Sequence, residues 1–121
     1  MATVLIVDDA AFMRLMLKKI VHVAGHEVVG EAGDGDAAIA MFRELSPDLT
    51  TLDITMPGKD GLEVLREILA IDADARVLMC SALGQQAKVV ESMKLGARDF
   101  VVKPFEADTV RLAIENALAP A

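Results

Sequence analysis

Residues 49–57 read LTTLDITMP, a segment of apolar residues and threonines that carries one acid, Asp53, shortly before the chain must turn at Pro57. This pattern predicts a buried β-strand over residues 49–53 with Asp53 at its carboxyl end. Burying an ionised carboxylate is costly, so such an acid either caps the following turn or faces a group that compensates its charge. The stretch alone leaves both interpretations open, and the ends of the other strands must decide between them.

The composition predicts one domain over residues 1–121 and excludes several classes of protein. A chain of 121 residues can form one hydrophobic core but not two. With 54% hydrophobic and 26% charged residues it is not disordered, and it lacks the run of roughly 20 apolar residues that crosses a membrane. A net charge of -7, four phenylalanines and no tyrosine or tryptophan argue against binding to nucleic acid. Because residues 1–3 lead into an apolar run without a basic leader, we expect a cytoplasmic protein.

Short apolar strands and amphipathic helices alternate along the chain. The predicted strands are residues 4–7, 27–32, 49–53, 77–80 and 100–102. A helical spacing of apolar residues follows each strand, and three of the helix ends are marked by Gly25, Pro47 and Gly96. This alternation implies right-handed crossovers and a single doubly wound (βα)5 domain of the α/β class, with a parallel five-stranded sheet and helices on both faces.

The carboxyl ends of parallel strands share one edge of the sheet, which is where ligands bind in open sheets of this kind. The side chains expected there are Asp8 and Asp9 after the first strand, Asp53 at the end of the third, Ser81 after the fourth and Lys103 after the fifth. Three carboxylates repel one another unless a cation joins them, and an all-oxygen set of ligands suits Mg²⁺. Together with Mg²⁺, Ser81 and Lys103 would surround the oxygens of a phosphoryl group on Asp53.

Each of these side chains also has a simpler explanation when it is considered alone. Asp8, Asp9 and Ser81 could cap helices, and Lys103 could be a solvated surface lysine. If these simpler explanations all held, four strand ends would carry side chains suited to binding a phosphoryl group by chance. The pattern therefore favours a phosphoryl-binding site.

With these strand ends, the whole chain resembles the receiver domains of two-component response regulators. The matching signs are the apolar run into Asp8 and Asp9, Asp53 followed by Met56, Pro57 and Gly61, Ser81 with Ala82, and Lys103 with Pro104. The segments DDAAFMR, residues 8–14, and CSALGQQA, residues 80–87, are more particularly similar to chemotaxis receivers of the CheY type. The resemblance implies a flavodoxin-like sheet in the order 2-1-3-4-5 and a cis peptide between Lys103 and Pro104.

By this resemblance, Asp53 would accept a phosphoryl group from the phosphohistidine of a sensor histidine kinase (CheA-like) and form an acyl phosphate. The protein ligands of Mg²⁺ would be Asp9 and Asp53 directly, Asp8 through metal-bound water, and the backbone carbonyl of Thr55.

The resemblance also implies a switch and an output surface. Ser81 and Lys103 would hold the phosphoryl oxygens, and the pull on Ser81 would be coupled to inward rotation of an aromatic ring on the fifth strand. Phe100 occupies that position, where the family usually has tyrosine, so packing and not a hydroxyl group must carry the switch. The alternative for Phe100 is a plain core aromatic. The output surface would be the fourth helix, fifth strand and fifth helix, and its partner a flagellar motor switch protein (FliM-like).

Thr55 and Leu83, which lie two residues beyond Asp53 and Ser81, offer no carboxylate or carboxamide to a hydrolytic water molecule. We therefore expect slow self-dephosphorylation and reliance on a separate phosphatase. We also expect a monomeric signalling protein and not an enzyme.

Two rival classes share parts of this architecture. Phosphatases of the haloacid-dehalogenase type also use a strand-end Asp with Mg²⁺, but they place a second Asp where this chain has Thr55. A flavodoxin-like redox carrier would need neutral donors where Asp8 and Asp9 stand. Within the receiver class, a phosphorelay intermediate or a receiver excised from a longer regulator stays open.

Overall fold

The structure is a computed structural model that describes residues 1–120, in which five strands alternate with five helices. The strands are β1 (Thr3–Val7), β2 (Glu27–Ala32), β3 (Leu49–Asp53), β4 (Val77–Ser81) and β5 (Asp99–Val102). The helices are α1 (Ala11–Val23), α2 (Gly35–Leu45), α3 (Gly61–Ile71), α4 (Gln86–Leu95) and α5 (Ala107–Leu118). Every predicted strand is confirmed to within one residue at each end. The apolar spacing after the last strand predicts a helix that runs nearly to Ala121. In the structure α5 ends at Leu118, and Ala121 itself lies outside the described residues.

All neighbouring strands are parallel, and their order is β2-β1-β3-β4-β5, which confirms the order implied by the resemblance. The winding direction reverses at β1, so a crevice lies between the carboxyl ends of β1 and β3. Val7 pairs with Leu52 in the register of these two strands. Asp8 follows Val7 and Asp53 follows Leu52, so these two residues lie side by side at the edge of the sheet.

Two apolar cores cover the two faces of the sheet, because successive residues of a strand point to opposite faces. Leu5 and Val7 of β1 belong to the core under α2 and α3, whereas Val4 and Ile6 belong to the core under α1 and α5. β3 is buried along its whole length. This burial on both faces includes two polar residues, Thr50 and Thr51, which are both 0% exposed.

The helix ends follow the signals in the sequence. Gly25 after α1 (φ 89) and Gly96 after α4 (φ 125) adopt the positive φ values that glycine tolerates best. Asp34 and Asp60 cap α2 and α3, since each carboxylate accepts a hydrogen bond from the N–H three residues further on, at 2.8 and 3.0 Å. Within residues 1–120, no helix combines the length and the apolar character that crossing a membrane requires.

Candidate functional site

Three carboxylates meet at the carboxyl edge of the sheet. One carboxylate oxygen from each of Asp8, Asp9 and Asp53 lies within 4.8 Å of the other two. Asp8 and Asp53 are buried, with 0% and 4% of their surface exposed, whereas Asp9 is exposed to solvent. The parallel register of β1 and β3 brings these residues together, as the sequence predicted.

Lys103 joins the carboxylates from the end of β5. Its Nζ lies 2.8 Å from Oδ2 of Asp8 and 3.3 Å from Oδ2 of Asp53, and only 18% of its side chain is exposed. The peptide between Lys103 and Pro104 is cis, which confirms the prediction. Lys103 is therefore a half-buried cation of the cluster, and the explanation as a solvated surface lysine is wrong.

The helix-capping explanations for the strand-end residues are also wrong. α1 and α4 both begin without a capping hydrogen bond from a side chain. Oδ1 of Asp8 accepts a hydrogen bond from the N–H of Ala10 at 2.9 Å, which shapes the turn and leaves Oδ2 facing Lys103. Ser81 is 2% exposed, and its hydroxyl donates to the carbonyl of Val101 at 3.5 Å. This bond is at the outer limit of hydrogen-bond length, so the hydroxyl is only weakly held.

Asp53 makes one weak hydrogen bond in the following turn, and its pKa is shifted by burial and by neighbouring charges. Its Oδ1 accepts a long hydrogen bond from the N–H of Thr55, at 3.4 Å. Burial, followed by the charge of Asp8, raises the pKa of Asp53 from 3.8 to about 6, although Lys103 opposes the change. Burial disfavours the charge on Lys103 as well, but the two carboxylates outweigh this effect and raise its pKa above the usual 10.5.

The cluster suits a hard divalent cation. One lysine faces three carboxylates, which leaves an excess of negative charge in a largely buried crevice. Oxygen donors in this arrangement fit Mg²⁺, and Asp8, Asp9 and Asp53 are the residues that could bind it.

Two residues that the sequence pattern did not indicate, Arg14 and Lys18, support the acidic loop, and Arg14 bonds its backbone directly. Nη1 of Arg14 donates to the carbonyl of Asp8 at 2.7 Å, and its Nε lies 3.2 Å from Oε1 of Glu31 on β2. Lys18, one turn further along α1, binds the same carboxylate at 2.9 Å. A hydrogen bond from Lys18 and then the contacts with Arg14 hold the pKa of Glu31 below its usual 4.5. The four-residue spacing of Arg14 and Lys18 predicts that they share one face of α1. The sequence does not indicate that this face contacts β2.

A third such residue is Gln85, which precedes α4. Its Oε1 accepts a hydrogen bond from the N–H of Ala82 at 2.6 Å. Its Nε2 donates to Oγ1 of Thr55 in the loop after β3. The carboxamide thus bonds the two loops that follow β3 and β4.

Phe100 lies apart from the acidic cluster, on the surface of the domain. It is 41% exposed, so the alternative of a plain core aromatic is wrong. The ring lines an apolar groove of about 560 Å³ between α4 and β5, which reaches Ser81 at its inner end. Val90 and Met93 of α4 are 53% and 38% exposed and line this groove.

A parallel 2-1-3-4-5 sheet with an acidic cluster and a lysine at its carboxyl edge is the arrangement of a receiver domain. The family profile described as the response regulator receiver domain matches residues 4–115. The chain therefore belongs to the response regulator receiver family, which sets aside the phosphatase and flavodoxin hypotheses.

Several chemotaxis proteins are similar to this chain over nearly its whole length. The chain is 56% identical to chemotaxis protein CheY of Bacillus subtilis over 115 residues, which is 95% of this chain and 96% of the relative. It is 55% identical to CheY of Thermotoga maritima over 113 residues, or 93% and 94% of the two chains. The CheX-CheY-BeF3-Mg²⁺ complex of Borrelia burgdorferi contains a chain with a TM-score of 0.92 and 36% identity, with coverage of 98% of this chain and 90% of that one. The protein is thus a CheY-like chemotaxis response regulator.

Proposed function

We propose that the protein accepts a phosphoryl group on Asp53 from the phosphohistidine of a CheA-like sensor histidine kinase and signals to a flagellar motor switch protein (FliM-like). The observation that carries the proposal is the buried carboxylate of Asp53, 3.3 Å from the ammonium group of Lys103 and within an acidic cluster. A nucleophilic oxygen, a fixed positive charge and a cation site then lie together at one point of the sheet edge.

In the proposed reaction, a carboxylate oxygen of Asp53 attacks the phosphorus atom in line with the phosphorus–nitrogen bond of the donor. That bond breaks, the imidazole leaves, and an acyl phosphate remains on Asp53. Lys103 and the hydroxyl of Ser81 would hold the phosphoryl oxygens, whose negative charge is spread out in the transition state. The reaction needs Asp53 ionised, and Lys103 opposes the rise in the pKa of this carboxyl.

Mg²⁺, when bound, would neutralise negative charge on the carboxylates and on the phosphoryl oxygens. Asp9 and Asp53 would bind it directly and Asp8 through water, and the backbone carbonyl of Thr55 would be the fourth protein ligand. Arg14 would support this set by fixing the carbonyl of Asp8 at 2.7 Å. The CheY chain from Borrelia burgdorferi was crystallised in a complex with CheX, BeF3 and Mg²⁺. We also expect a separate phosphatase to act on this protein, because Thr55 and Leu83 offer no carboxylate or carboxamide to a hydrolytic water molecule.

The proposed output runs from Ser81 to Phe100. The hydroxyl of Ser81 is held only by a 3.5 Å bond, so a phosphoryl group on Asp53 could draw it inward at low cost. The groove next to Ser81 would give the ring of Phe100 room to rotate inward. The surface formed by α4, β5 and α5 would then change shape, and the partner would select the phosphorylated state by its contacts.

Phosphorylation of Asp53 is tested by incubation with acetyl phosphate and Mg²⁺, followed by intact-mass measurement. The parent is expected to gain the mass of one phosphoryl group, and Asp53→Asn none, because the carboxamide is not a nucleophile here. The control is Asp74→Asn, which changes an exposed acid before β4 and should take up phosphate like the parent. Equal uptake by the parent and Asp53→Asn would refute the proposed function.

The output surface is tested with a peptide from a flagellar motor switch protein. Phosphorylation of the parent is expected to tighten binding by about tenfold, within the usual range of coupling between two sites. Phe100→Ala should lose most of this gain because the rotating ring is missing. Val23→Ala removes an exposed apolar side chain from α1 and serves as the matched control. Isothermal titration measures both affinities, and an undiminished gain in Phe100→Ala would contradict the role of the ring.

A further inference from the structure

The carboxamide of Gln85 connects the loops after β3 and β4. Its Oε1 accepts from the N–H of Ala82, the residue after Ser81, at 2.6 Å. Its Nε2 donates to Oγ1 of Thr55, whose own N–H donates to Oδ1 of Asp53 at 3.4 Å. One side chain thus bridges the loop that begins at Asp53 and the loop that begins at Ser81.

Gln85 does not cap the helix that it precedes. The residue stands at the N-cap of α4 with φ −106 and ψ 24, yet its side chain makes no capping bond to that helix. Gln85 is half-buried, whereas the adjacent Gln86 is exposed and lines the apolar groove. A carboxamide offers both an acceptor and a donor, and here each of them is used on a different loop.

We propose that Gln85 is a positioning residue that holds these two loops together at the mouth of the Asp53 site and thereby slows hydrolysis of the acyl phosphate. The inference rests on the proposed function of Asp53. In hydrolysis, the oxygen of water attacks the phosphorus and the bond from phosphorus to the Asp53 oxygen breaks. The carboxylate and inorganic phosphate are released, and the proton of the water passes to the phosphate or to solvent.

The bonding of Gln85 indicates that it restrains the loops and does not activate water. Both polar ends of the carboxamide are engaged by protein groups, at Ala82 and at Thr55. The bridge keeps the loops from separating, and a closed mouth limits the approach of water to the phosphorus. Positions 55 and 83 lack a carboxamide, but this one reaches Thr55 from position 85.

The test measures how fast phosphate leaves Asp53. Each protein is phosphorylated with acetyl phosphate and Mg²⁺, the donor is removed by rapid desalting, and the phosphorylated fraction is followed by intact mass. Gln85→Ala is expected to lose phosphate about fivefold faster than the parent, which corresponds to the loss of one or two ordinary hydrogen bonds. Gln86→Ala removes the same chemical group one residue further on and is expected to decay at the rate of the parent.

Conservative variants separate positioning from a general loss of structure. In Gln85→Glu, the carboxylate can accept from both the Ala82 N–H and the Thr55 hydroxyl, so the decay rate is expected to return to within about twofold of the parent. Gln85→Asn is one methylene too short to reach both loops and should decay like Gln85→Ala. Because the bridge acts through Thr55, the double variant Thr55→Val with Gln85→Ala should decay no faster than the faster single variant.

Two outcomes would overturn the inference. Decay of Gln85→Ala and Gln85→Asn at the rate of the parent, or more slowly, would show that the bridge does not protect the acyl phosphate. Additive acceleration in the double variant would show that Gln85 does not act through Thr55. Failure of the parent to take up phosphate would instead refute the proposed function of Asp53, so the two failures are distinguishable.

Discussion

In metal-free buffer at about pH 8, Asp53→Asn is expected to be more stable than the parent, by on the order of 3 kcal/mol in the free energy of unfolding. Burial and the charge of Asp8 raise the pKa of Asp53 from 3.8 to about 6, so the folded protein holds this proton more tightly than the unfolded chain does. The stability that the protonated carboxyl contributes is complete below pH 3.8 and is lost as the pH rises through about 6. Asparagine is neutral at every pH and avoids the loss. Only 6% of the Asp53 side chain is exposed, so solvent screens little of the effect.

Urea titrations followed by circular dichroism would measure the difference, since the chain has no tryptophan or tyrosine to serve as a fluorescence probe. The stability of the parent relative to Asp53→Asn should fall between about pH 4 and about pH 6 and then stay level. Mg²⁺ should narrow the gap, because an ion that binds only the folded parent stabilises it. Asp74→Asn is the control, and a gap that is the same at about pH 4 and about pH 8 would contradict the raised pKa.

The acidic cluster could be predicted from the sequence because it depends on topology. Strands that alternate with helices are parallel, so the residues after each strand meet at one edge of the sheet. The pairing of Val7 with Leu52 then places Asp8 beside Asp53, and this placement does not depend on how the helices pack. The position of Lys103 follows in the same way from the end of β5.

The supporting side chains could not be predicted because they reach the site from outside the sheet. The side chain of Arg14 extends from α1 to the carbonyl of Asp8. The side chain of Gln85, the residue before α4, extends to Thr55. Both side chains are long, and their direction depends on how a helix or loop packs against the strands. Sequence spacing gives the face of a helix but not its rotation toward a particular strand.

Hydrophobicity alone would place Phe100, Val90 and Met93 in the core, but all three are exposed. β5 is at the edge of the sheet, and α4 leaves one side of this strand uncovered. The three side chains therefore line an open groove, although their apolar character is typical of a core. A contiguous apolar groove on a small domain is more typical of a contact surface, which agrees with the output proposed for this face.

Gly61→Ala is expected to destabilise the protein by about 3 kcal/mol or more, since overpacking against a rigid backbone is among the costliest substitutions. Gly61 opens α3 and donates its N–H to the carbonyl of Ile54 at 2.7 Å. A Cβ atom there would lie 2.2 Å from the carbonyl oxygen of Asp53 and 2.7 Å from Cα of Ile54. Both are backbone atoms, so either α3 or the end of β3 must move. Urea unfolding at about pH 7 would measure the loss.

Gly33→Ala is the matched control for this clash. It adds the same methyl group at the end of β2, where the nearest atom is Nη1 of Arg14 at 3.6 Å, an ordinary contact with a side chain. Its stability should stay within about 1 kcal/mol of the parent. A Gly61→Ala protein as stable as Gly33→Ala would show that the end of β3 yields easily. Equal stability would also count against the proposed site. Gly61 packs against the backbone of Asp53 and Ile54, and this backbone positions the Asp53 carboxylate at the sheet edge.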